Sequence, residues 1–215
     1  MDFLSNAMQY LLTFFYNLTA SIGFPNYGWA IILLTIVLKV ALYPLTVSQV
    51  KSMKAMALVA PKLKELQEKY KNNPEKLQKE MGELYKTHKV NPLSGCWPLL
   101  VQMPFLFAIF LAIRDFKYVG EPSFLWLTNL ANPDPLYILP VISAVSTYFQ
   151  AKMSATPEQQ EQQKIMTMLM PVFILYISLT FPSGLVLYWA VGTIVQIIQQ
   201  YYVNKKTAAV QGEAS

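Results

Sequence analysis

The sequence predicts an all-α integral membrane protein with five transmembrane helices. A cytoplasmic antiparallel helical hairpin follows the first of them, and an amphipathic helix at the outer interface precedes it. Three observations carry this reading. Charged residues make up 13% of the 215 and hydrophobic ones 54%, whereas a soluble domain is normally about a quarter charged. Apolar stretches close to the roughly 20 residues needed to cross hydrocarbon recur along the chain. The lysines gather in alternate connections, as cytoplasmic loops of a multi-pass protein require.

Composition also excludes functions. Cys96 is the only cysteine and His88 the only histidine, so neither an intramolecular disulfide nor a Cys/His zinc site can form. No glycine-rich phosphate loop and no pairing of nucleophile with base appears. The chain therefore reads as a non-enzyme without metal or cofactor. A net charge of +5 would point to nucleic acid in a soluble protein. Here it reflects lysine bias in the loops, and no sequence-specific nucleic-acid binding is expected. Residues 1–27 hold no Lys or Arg, so the start lacks the positive leader of a secretory signal.

In chain order, residues 1–24 form the outer interfacial helix. Leu4, Met8, Leu11, Phe15 and Leu18 repeat at helical spacing opposite Ser5, Asn6, Gln9, Thr13 and Asn17. A sixth span is the competing reading. Residues 25–50 hold the first span, clearest over Gly28–Val47. Residues 51–96 form the hairpin loop. Within it Met56, Val59, Leu63, Leu66 and Tyr70, then Leu77, Met81, Leu84 and His88, keep a spacing of three and four. Lys71-Asn72-Asn73-Pro74 turns the chain between them. Pro61 is expected to start a new helix rather than sit inside one. Residues 97–203 hold the other spans, near Trp97–Ile113, Pro135–Lys152, Ile165–Phe181 and Gly184–Val203, and residues 204–215 are a cytoplasmic tail. Lys51 to Lys89, Lys152 with Lys164, and Lys205 with Lys206 then share the cytoplasmic side. The N-terminus and the loop with Arg114, Asp115, Lys117, Glu121 and Asp134 fall outside.

One cation lies inside a span. Lys39 shares a helical face with Thr35, and a lysine at mid-bilayer costs about 3 kcal/mol on insertion scales. Escape to the cytosolic interface is awkward, since Val47 is roughly 12 Å further along and helical side chains lean toward the N-terminus. Ser143, Thr147 and Gln150 form one polar stripe on another span; Trp189, Thr193 and Gln196 form a second. Together they could line a hydrated groove around Lys39. No Asp or Glu lies in any predicted span, which argues against a proton-coupled transporter.

The run Lys39-Val-Ala-Leu-Tyr-Pro-Leu45, the stretch Asn91–Pro104, Leu136–Pro140, Gln162–Pro171 and Phe181–Trp189 together resemble the YidC/Oxa/Alb membrane insertases. The resemblance runs from about Tyr27 to Val203. It implies a five-span core of the bacterial cytoplasmic membrane, N-terminus outside and C-terminus inside, with a groove open to the cytoplasm. It places the groove cation on Lys39, where the family usually carries arginine, and groove or client contacts on Thr35, Leu106, Ser143, Tyr188 and Trp189. The implied function is insertion and folding of newly made one- or two-span membrane proteins. The implied partners are those clients, membrane lipids and, through the 51–91 hairpin, a Sec-type translocon, a ribosome or a signal-recognition receptor. These residues match the short form of the family, without the large periplasmic domain of some members. A small-solute transporter or channel, or an assembly subunit of a larger membrane complex, is the alternative.

Overall fold

The computed structural model describes residues 2–88, 90–91, 97–114, 116, 118, 122–154 and 157–212. Within these, side chains are described except at 2, 4, 97–102, 105, 114, 157–166 and 206–212. Cys96 and the Asp115, Lys117 and Glu121 charges therefore lie outside the described residues, as does the Pro92–Cys96 part of the resemblance. Among the described residues eight helices follow in order: α1 Asp2–Ser21, α2 Tyr27–Ala41, α3 Tyr43–Lys69, α4 Pro74–Thr87, α5 Trp97–Arg114, α6 Ile138–Ser154, α7 Pro157–Ser178 and α8 Ser183–Gly212. No strand occurs among the described residues beyond one isolated bridge, Phe124 to Leu127.

The expected straight span Gly28–Val47 is broken. α2 stops at Ala41, α3 starts at Tyr43, and the two axes differ by 59°. Pro44 is the cause. In the first turn of α3 its missing N–H is harmless, but the same residue cannot donate back into α2. The freed end is closed locally and from afar. The Leu42 N–H donates to the Leu38 carbonyl at 2.9 Å, and Gln199 Nε2 on α8 donates to the Lys39 carbonyl at 2.9 Å. At the other end of α2, Asn26 is the N-cap, its Oδ1 accepting from the Gly28 N–H at 2.8 Å.

α3 then runs on without the expected restart at Pro61, which lies inside it. Pro61 is exposed, so the carbonyl it leaves unpaired one turn back can bond to water instead. Asn73 caps α4 by accepting from the Lys76 N–H at 3.1 Å, and Pro74 opens that helix. α4 folds back on α3, bringing His88 Nε2 to 3.2 Å from Lys62 Nζ. Leu63, Leu66, Leu77, Met81 and Leu84 are half-buried between them.

The hydrophobic core sits at one end of the bundle. It gathers Ala30, Ile31 and Leu34 of α2, Ala108 to Ile113 of α5, Leu139 of α6 and Leu185 to Tyr188 of α8, closed by Phe124, Leu127 and Leu130 from the 122–137 loop. That loop is a lid. Asp134, 1% exposed, accepts from Trp126 Nε1 at 3.1 Å and from the Leu136 and Leu139 N–H groups at 3.0 and 2.7 Å. The Ser183 and Gly184 N–H groups donate to Asn132 and Leu130 carbonyls at 2.7 and 2.9 Å. The Phe124 ring lies where a side chain on Gly28 would be.

α1 packs on α2 and α5, but not with the stripe its apolar residues suggest. Ser5, Met8, Leu12, Phe15 and Thr19 face inward, while Leu11 and Leu18 are exposed beside Phe3, Tyr10 and Phe14. The side chain of Leu4 is not among those described. Small Ser5 and Thr19 let α1 approach closely, and Thr19 satisfies its hydroxyl on the Tyr16 carbonyl at 2.8 Å. Apolar side chains are thus spread around α1 instead of confined to one face.

Among the described residues no single helix is long and apolar enough to cross a membrane. The bent pair α2–α3 passes that test together, and Thr167–Ser178 is a shorter apolar helix. Yet the outward surface of the bundle is rich in large apolar side chains. Val141, Val145 and Phe149 of α6, Val172, Phe173 and Tyr176 of α7, and Ile194 and Ile198 of α8 are all exposed.

Two stability predictions follow from this packing, both read as thermal or denaturant unfolding in detergent micelles. Gly28→Ala should cost about 1–3 kcal/mol by overpacking against Phe124, whereas Gly82→Ala, with open space at its Cα, should gain about 0.5–1 kcal/mol by helix propensity. Equal shifts for the two would show that Phe124 moves aside freely. Gln199→Leu should cost about 1–3 kcal/mol by leaving the Lys39 carbonyl unpaired; an unchanged midpoint would show that the bend does not depend on that cap.

Candidate functional site

A polar stripe runs along α8 through Trp189, Gly192, Thr193, Gln196, Gln199 and Gln200. Steps of three and four residues keep these on one side of the helix. α2 and α3 border the stripe on one flank and α6 on the other. At its start α8 places Leu185 to Tyr188 in the apolar core; the polar residues begin where the core stops.

On the α2 flank, Lys39 reaches across and its Nζ donates to Gln196 Oε1 at 2.9 Å. A Cβ built on Gly192 would stand 3.2 Å from Lys39 Cε and 3.6 Å from Thr35 Cγ2. A glycine there is what lets the lysine stem lie against α8. The Lys39 carbonyl is held in turn by Gln199, one turn further along α8. The same residue is therefore gripped twice from α8, once by its side chain and once by its backbone. Lys39 lies in the last turn of α2, where carbonyl groups favour a cation. Its amine meets a neutral amide, and among the described residues no carboxylate is bonded to it.

On the α6 flank, Trp189 Nε1 donates to Thr147 Oγ1 at 3.4 Å. Further along, Gln200 Nε2 donates to Ser154 Oγ at 3.1 Å and to the Met153 carbonyl at 3.3 Å. Thr35 is fully buried, its hydroxyl donating to the Ile31 carbonyl at 2.6 Å. Thr193 similarly bonds its own helix, at the Trp189 carbonyl. Both are the local bonds expected of helical threonines.

The sequence-predicted residues thus divide. Lys39, Thr35 and Gln196 come together around Gly192, and Thr147 meets Trp189. Ser143 is fully buried, its Oγ without a hydrogen-bond partner among the described residues, and no hydrogen bond among them links it or the half-buried Gln150 to Lys39. Of the residues assigned to client contact, Leu106 and Trp189 are half-buried, and Tyr188 is only 5% exposed within the core. Sequence reasoning missed Gly192, Gln199 and Gln200. The spacing Gln196-x-x-Gln199-Gln200 on a helix carrying Thr193 was the available signal. It also missed the buried Asp134, which spacing alone does not distinguish from a loop acid.

The comparisons with known proteins bear on the family and the fold. Residues 17–210 match the family described as 60Kd inner membrane protein. A membrane protein insertase YidC of Geobacter sulfurreducens is 44% identical over 211 residues, 98% of this chain and 39% of that protein. The YidC of Fusobacterium nucleatum is 42% identical over 209 residues, 97% of this chain and 100% of that one. The chain thus spans about two fifths of the Geobacter relative and the full length of the Fusobacterium one. A crystal structure of an active YidC insertase with its first transmembrane domain resolved superposes with a TM-score of 0.73 at 30% identity, covering 94% of this chain and 46% of that chain. An all-helical bundle of this arrangement, matched along nearly its whole length, belongs to the 60Kd inner membrane protein family, the family of the YidC insertases.

Proposed function

We propose that this chain inserts newly made one- and two-span proteins into a bacterial cytoplasmic membrane, using the Lys39 region as a passing site for acidic segments. The observation that carries the reading is a cation bonded to a neutral amide, with no carboxylate bonded to it among the described residues, on the polar seam of a bundle whose other end is apolar and closed by the 122–137 loop. In this reading α2 with the start of α3, then α5, α6, α7 and α8, make five crossings. The lid faces outward, and the α3–α4 arm and the C-terminus face the cytoplasm. The exposed apolar faces of α6, α7 and α8 support lipid contact there.

The physical task is to lower a desolvation cost. A client's acidic extracytoplasmic segment cannot cross bare hydrocarbon cheaply. A cation partway through, with polar side chains around it, shortens the unfavourable stretch. The client's apolar helix then leaves along α2 and α8, past Trp189, and its burial in lipid at roughly 25 cal/mol per Å² drives the step. Ser143, Thr147, Gln150 and Thr193 would border the path. The lysine-rich arm, including Lys62, Lys64, Lys69 and Lys76, suits an anionic partner such as lipid head groups, ribosomal RNA or an acidic receptor face.

Reconstitution into liposomes with a fluorescent single-span client tests this. Wild type and Lys39→Arg should insert a client with an acidic translocated tail, and Lys39→Glu should lose that insertion by at least tenfold. Full activity in Lys39→Glu would remove Lys39 from the mechanism. Flux of small solutes through wild-type vesicles, without insertion, would replace the reading by a channel.

A further inference from the structure

The structure shows how the Lys39 charge is held. An ammonium has three N–H donors, and among the described residues one of them is committed, to Gln196 Oε1 at 2.9 Å. Gly192 admits the stem against α8, and Gln199 fixes the backbone of the same residue. Three positions of one α8 face, four and then three residues apart, therefore converge on one residue of α2.

The identity of the side chain at 196 is the informative point. A carboxylate there would be nearly the same shape and would bond the amine more strongly. It would also neutralise it, leaving nothing for an arriving anion. An apolar side chain would leave the amine without a partner, free to swing along its flexible stem. An amide does neither. It orients the amine toward the seam and leaves the full positive charge.

We propose that Gln196 is a positioning residue for the passing site. It holds the Lys39 amine across the α2–α8 seam as a neutral stand-in, with two donors left for a client carboxylate. This rests on the reading of the chain as an insertase that uses Lys39. It adds that neutrality at position 196, not merely polarity, sets the preference for acidic clients.

The test uses the full chain in liposomes with two clients that differ only in the translocated tail, one bearing two aspartates and one bearing two asparagines. Gln196→Glu should reduce insertion of the acidic client at least tenfold while leaving the neutral one within about twofold of wild type. Gln196→Leu should weaken the acidic client less, by several-fold. The double variant Lys39→Gln with Gln196→Lys, which moves the cation to α8 across the same contact, should recover acidic-client insertion that Lys39→Gln alone loses. Equal loss of both clients in Gln196→Glu would mark Gln196 as a structural residue and overturn the proposal. So would an unaffected acidic client. Failure of the wild type to insert either client would instead sink the underlying reading, and the two failures are distinguishable on the same gel.

Discussion

A single missing N–H organises the polar half of this molecule. Because Pro44 cannot donate into α2, the helix ends at Ala41, and Lys39 stands in a terminal turn instead of the middle of a continuous rod. Terminal carbonyls need partners in any dry setting. α8 supplies one through Gln199 and holds the adjacent side chain through Gln196. The bend, the lysine and the glutamines form one arrangement: remove the bend and the carbonyl of Lys39 returns to its own helix, leaving Gln199 without its acceptor.

The two ends of the bundle are held by different forces. At the lid end, apolar burial dominates, with Ile31, Ile109, Leu127 and Leu130 almost wholly enclosed. Backbone bonds from Ser183 and Gly184, and the three bonds accepted by Asp134, sew the loop to the helices. Toward the arm, side-chain amides and hydroxyls replace that packing. Such bonds contribute about 1 kcal/mol each when water is the alternative partner. They specify geometry more than they bind the helices together.

Much of this was legible in the sequence, for identifiable reasons. Lys39 stood out because charge is rare in apolar runs, and Thr147, Trp189 and Gln196 because their spacing is helical. The arm was legible through Asn73-Pro74, whose turn and cap chemistry is local. What was not legible depends on three-dimensional neighbours. The bend was hidden because a proline at 44 reads equally as a tolerated interior residue or a new start; at Pro61 the same ambiguity resolved the other way, and the helix continued. The inward face of α1 was missed because apolar residues surround that helix, so pattern alone could not select Ser5 and Thr19 over Leu11 and Leu18. Gly192 carries no chemistry of its own, and only the lysine stem lying against it shows why it is there.

The lid has a mechanical consequence. Helices clamped together at one end and joined by weaker ties at the other behave like the arms of a pair of tweezers. In such an arrangement separation is smallest at the clamp and grows with distance from it. Stitches such as the Ser183 N–H donating to the Asn132 carbonyl hold the clamped end whatever the spacing at the other.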